Sequence, residues 1–189
     1  MIPDLDSGIM PDLEEWVRLV GSRDVLNLTG LSGDQLREWT VRRGLISPDV
    51  PASRQGQQAQ FGWQTVLLLR LAVVLRMRFH VELQVHRDLF AQARDLLGGR
   101  SFPALWGHRL AIFGLEHCSL LGPHEAPAAD EDVILLALNA HLEVLSHGFG
   151  VAEPIAQLPL FPAVGLRRSE PQVAVEGGAL VRAAEGGMA

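Results

Sequence analysis

Cysteine occurs once in these 189 residues, at Cys118, which excludes a disulfide framework and any multi-cysteine metal cluster. Lysine is absent, so all sixteen basic residues are arginine. The longest apolar run, residues 66–75, is broken by Arg70 and falls far short of the roughly 20 residues that a membrane span needs. No basic-then-apolar signal opens the sequence, so membrane insertion is excluded and a cytoplasmic protein is expected. Catalytic patterns are missing as well. No nucleophile stands in a motif with a base, no carboxylates pair, and no glycine-rich phosphate loop occurs, so no enzyme is expected. Glu116-His117-Cys118 holds the right side-chain types, but adjacent residues seldom face one another.

Seven histidines raise the question of a metal site. His80 and His86 are six apart, as are His141 and His147, and that spacing does not put two ligands on one helical face. His117, Cys118 and His124 form the nearest approach to a ligand set, and a structural or surface role suits them better. No metal and no cofactor are expected.

What is present is a hydrophobic fraction of 48%, enough for a core, and an uneven charge. Residues 1–22 hold one arginine against five acids, while residues 23–100 hold eleven arginines against seven acids. The remainder carries four arginines against ten acids, which leaves a net charge of −6. A basic middle between acidic flanks is one footprint of a nucleic-acid-binding segment. Arginine presents a planar fork suited to phosphate and base edges, and the coding bias of a GC-rich genome yields the same composition.

Periodicity and capping signals organise the chain into four parts. Residues 1–19 are an extension with a short helix, opened by Pro11-Asp12 and striped by Leu13, Trp16, Val17 and Val20. Ser22 caps a short helix over residues 23–28, ended by Thr29-Gly30-Leu31. Ser32-Gly33-Asp34-Gln35 has the form of a capping box, so a second helix starts at Ser32, buries Leu36 and Trp39, and stops at Gly44. Two helices joined by a three-residue turn containing glycine form a helix-turn-helix. Residues 47–60 are polar and irregular, and between Leu45-Ile46 and Phe61 they read as a two-stranded wing. Helices over residues 62–79 and 81–97 follow, the second striped by Val81, Val85, Leu89, Ala93 and Leu96.

The run from Val25 to Pro48, above all Leu36-Arg37, Trp39 and Arg42-Arg43-Gly44-Leu45-Ile46, resembles the opening of the MerR-type winged helix-turn-helix. The resemblance covers residues 20–97, about 40% of the chain, and implies that the second helix lies in a DNA major groove. Glu38, an acid that would face phosphates, stands where that family usually places an aromatic, Ala59 and Phe61 stand at two wing positions that usually contact DNA, and Arg54 is the remaining wing arginine. The family's long dimerisation helix is replaced by Gly98-Gly99.

The sequence therefore predicts a mainly α protein: a winged helix-turn-helix over residues 20–99, a small α-rich interaction module over 100–166, and a disordered tail over 167–189. In the module, residues 110–113 and 118–121 are short apolar pieces read as strands or broken helices. Asp130-Glu131-Asp132 opens a helix striped by Ile134, Leu138, His141, Leu142 and Leu145, and an extended apolar segment spans residues 155–161. The expected function is a DNA-binding transcriptional regulator with double-stranded DNA as partner. Gly33, Asp34 and Gln35 would read bases, and Arg37, Arg42, Arg43 and Arg54 would hold the backbone. A homodimer held by residues 101–165 is expected, with a transcription-machinery or other protein partner for the same module. The rival expectation is a protein-interaction adaptor or an architectural, excisionase-like factor that keeps the winged fold with little specific DNA binding.

Overall fold

The computed structural model describes residues 18–52, 56–128 and 130–151, all within one compact unit formed by residues 1–155; a second unit, residues 156–189, lies outside them. The expected N-terminal helix, the segment over 155–161, the tail and Arg54 also lie outside the described residues.

Among the described residues the elements run β1 (Val20–Gly21), α1 (Ser22–Thr29), α2 (Gly33–Arg37), β2 (Gln60–Phe61), α3 (Trp63–Arg78), α4 (Arg87–Gly98), β3 (Arg109–Phe113), β4 (His117–Leu121), β5 (Val133–Ala137) and α5 (Asn139–Phe149). A π-helical turn, Glu38–Arg42, prolongs α2, and a single 3₁₀ turn, Leu83–His86, leads into α4. No described helix is long and apolar enough to cross a membrane.

The expected mainly α class is corrected by five strands in two antiparallel sheets: the fold is mixed α/β. The error sits in the C-terminal module. Ile134, Leu138, Leu142 and Leu145 keep a helical spacing, which hid the fact that residues 133–137 are five consecutive apolar residues. They pair with β3, placing Leu136 opposite Leu110 and Ile134 opposite Ile112, and the helix starts only at Asn139. β4 pairs with the other edge of β3 through a hairpin, giving the order β4-β3-β5. Gly114 and Leu115 take positive φ of 55° and 63° in that hairpin's turn, so the chain reverses within three residues. Val20, expected on a helical stripe, lies instead in β1 opposite Phe61.

The core forms around α3. Its residues Val66, Leu67, Leu68, Leu69, Leu71, Ala72 and Leu75 are all buried, which fits a helix apolar nearly all round and covered on several sides. α1, α4 and α5 pack on it, and β4 packs on α4. The cluster continues without a break from Val20 to Phe149, so the sheet and α5 share one core with the helix-turn-helix. Trp63 meets Phe102 edge-on at 5.2 Å between centroids. In α4 the buried stripe is Leu89, Phe90, Ala93 and Leu97; Val85 is 73% exposed because the residues before Arg87 form the 3₁₀ turn rather than a first α-turn.

Candidate nucleic-acid interface

The turn between α1 and α2 is built from local chemistry. Gly30 caps α1 in the left-handed region at φ 74°, where its N–H reaches the Leu26 carbonyl. The Thr29 hydroxyl donates to the Val25 carbonyl at 2.7 Å and accepts from the Leu31 N–H at 3.3 Å. Ser32 then closes the expected capping box: its Oγ accepts from the Gln35 N–H at 3.2 Å, and Gln35 Oε1 accepts from the Ser32 N–H at 2.9 Å. Ser22 is the first helical residue of α1 and not its cap, a place taken by Gly21. Val25, Leu31 and Leu36 are buried beneath the turn and fix the angle between the two helices.

This packing leaves Gly33, Asp34 and Arg37 exposed on the first turns of α2. Gln35 is exposed too, but its side-chain oxygen is occupied in the capping box. Arg42 ends the π-helical turn and Arg43 caps it, and both turn back to Glu38: Arg42 Nη1 lies 3.4 Å from Glu38 Oε2, and Arg43 Nε donates to Glu38 Oε1. The Arg43 hydrogen bond holds the Glu38 carboxyl below the usual carboxylate range against its own desolvation, with Arg42 acting in the same direction. The carboxylate that looks on sequence like an obstacle to phosphate therefore binds the two arginines nearest to it. Trp39, assigned to the core, is half-buried against it.

Among the described residues the expected two-stranded wing is reduced to one backbone bridge: Val50 and Gln60 exchange hydrogen bonds of 3.1 and 2.9 Å, Leu45-Ile46 form no strand, and the strand partner of β2 is β1, with Val20 opposite Phe61. Asp49 Oδ2 accepts from the Gly62 N–H at 2.7 Å and closes the wing onto the start of α3. Arg54 and its neighbours 53 and 55 lie outside the described residues.

Two arginines that sequence reading did not single out position this surface from behind. Arg87 donates through Nη2 to the Arg43 carbonyl, and Arg94 donates through Nη2 to the Ser47 carbonyl and, at 3.1 Å, to Thr65 Oγ1. They are seven apart on α4, two helical turns, so one face of α4 holds the chain leaving the π-helical turn. That spacing was visible in the sequence; what it reaches was not.

Cys118 is half-buried and its thiol is pushed up to about 11 by burial, and the His117 ring stacks on Phe113 at 4.8 Å. No group of three metal-ligating side chains occurs among the described residues. Compared with known proteins, the chain matches no family model and no curated sequence.

Proposed function

We propose that this chain is a DNA-binding transcriptional regulator of MerR-like type, with α2 as the helix that enters the major groove. The observation carrying this reading is the capped turn between α1 and α2, which leaves Gly33, Asp34 and Arg37 exposed at the start of the second helix, with the wing paired at Val50 and Gln60 following it. Arg37 enters no ion pair or hydrogen bond among the described residues, so its guanidinium is available to a phosphate. Retardation of a random duplex by the full chain at several salt concentrations tests the reading. Affinity that falls steeply as salt rises supports it, and no retardation at low salt sinks it.

One observation favours a second reading. Glu38 occupies Arg42 and Arg43 and lowers the positive field of the helix, as expected for an adaptor that keeps the winged fold without tight DNA binding. Failure of the retardation experiment selects that reading.

The homodimer remains part of the proposal, with a different surface. Leu142 and Leu145 of α5 are wholly buried inside the protomer, so the stripe expected to carry the interface is taken up by the core, and Val144 is the one large apolar side chain of α5 left exposed. β5, an edge strand with Leu135 38% exposed, is the surface we offer instead; light scattering on the full chain and on Leu135→Glu checks it.

A further inference from the structure

A cavity of about 380 Å³ opens between α2 and the turn joining α3 to α4, with Glu38, Trp39, Arg76, Met77, Glu82 and Leu83 among its lining. Its volume lies in the range of small-molecule sites. We propose that this cavity binds a small zwitterionic molecule with a flat apolar body, its carboxylate on Arg76 and its ammonium on Glu82.

The lining divides by chemistry. Leu83 is buried and the indole of Trp39 is half-buried against the core, so the two supply an apolar wall fixed by packing. Met77, on the last turn of α3, is 67% exposed; an unbranched thioether left in water at the mouth of a cavity adapts to flat apolar groups. Phe79 and Val85, in the same turn between α3 and α4, are also exposed, so three of the six large exposed apolar side chains among the described residues stand within nine positions of one another. His80 between them holds a positive φ of 54°, a conformation seldom seen outside glycine and one that collects at binding sites.

The polar lining carries both signs. Glu38 is taken by Arg42 and Arg43, whereas Arg76 and Glu82 enter no ion pair among the described residues although they line the same cavity. An anion alone would meet Glu82 without compensation, and a cation alone would meet Arg76. A molecule carrying both charges satisfies each, and arginine is suited to a carboxylate because its fork can donate two parallel hydrogen bonds.

The test uses the full chain and three probes that share a phenyl group: L-phenylalanine, phenylacetate and phenethylamine, followed by calorimetry and by quenching of tryptophan fluorescence. L-phenylalanine is expected to bind at least about tenfold more tightly than either singly charged probe, the loss of one charged hydrogen bond being of that size. Arg76→Gln and Glu82→Gln should each lose about tenfold for L-phenylalanine with an unchanged melting temperature, since both side chains are exposed. Arg100→Gln removes the same charge from a residue outside the lining and should bind as the parent does. Equal affinity for the three probes, no heat or quenching at millimolar L-phenylalanine, or an equal loss in Arg100→Gln overturns the proposal.

Discussion

Arg70 and His141, seventy-one residues apart in the chain, meet at 3.2 Å, with the guanidinium Nε–H donating to the imidazole Nδ1. The same arginine donates through Nη1 to the Leu28 carbonyl near the end of α1. One half-buried cation of α3 therefore ties the first helix of the helix-turn-helix to α5, and burial holds its own pKa below the usual arginine value. The arrangement requires His141 to be neutral, because an imidazolium has no lone pair to offer Arg70.

That requirement sets a pH dependence. Burial, then the charges of Arg70 and Arg78, depress the folded-state pKa of His141 from 6.5 to about 4. The unfolded chain binds this proton more readily, so the contribution is fully present above pH 6.5 and is lost as pH falls towards 4. The melting temperature should fall over that window by more than in His141→Gln, which keeps an acceptor and cannot titrate. Parallel curves for the two proteins would show that His141 is not the acid-sensitive group.

Gly148 of α5 lies against Leu28 of α1, and a Cβ placed on it would stand 2.5 Å from Leu28 Cδ2, 2.9 Å from Cδ1 and 3.2 Å from Cγ. Alanine has the better helix propensity by about 1 kcal/mol, so Gly148→Ala would stabilise a free helix. Here the branched end of Leu28 must move, and overpacking of this kind costs about 1 to 3 kcal/mol. Chemical denaturation should show a net loss for Gly148→Ala and a smaller one when Leu28→Ala is already present. Additive effects would mean that the two helices do not touch at this point.

Trp39→Ala should cost about 2 kcal/mol, below the ~3 to 5 kcal/mol of a fully buried aromatic, because the indole is half-buried where the sequence suggested a core position. Calorimetric unfolding gives the number, and a cost near zero would place the ring outside the packed structure.

How legible the chain was follows from where its signals are local. The Ser32–Gln35 capping box and the glycine-containing turn use side chains that bond to backbone within four residues, so sequence reading located them correctly. α3 was equally plain, since sixteen residues with so few polar breaks permit little else. β5 was not, because a run of apolar residues has no period of its own and β3 decided its conformation. The surroundings of the candidate site were hidden for the same reason. Asp34 and Arg37 were exposed as expected, but Arg87 and Arg94 act through long-range contacts with the Arg43 and Ser47 carbonyls, and Glu38 was read against phosphate when its nearest partners are Arg42 and Arg43.

Arg37 and Glu38, adjacent on one helix, should therefore move DNA affinity in opposite directions. Arg37 is exposed and enters no ion pair among the described residues, so Arg37→Ala would remove the phosphate contact proposed above without touching the core. Affinity should drop, and the slope of log affinity against log salt should become shallower by about 0.9, the value for one released counterion. Glu38→Gln keeps the shape of the side chain and ends its two ion pairs, which frees Arg42 and Arg43 to turn outward. Affinity should rise, and the salt slope should steepen by about 0.9 for each arginine that reaches a phosphate. Neither change should shift the melting temperature much, since exposed ion pairs contribute about 0 to 1 kcal/mol. Filter binding of one duplex across a salt series measures both slopes. Matching slopes in the parent and both variants would remove this helix from the DNA contact and leave the adaptor reading in its place.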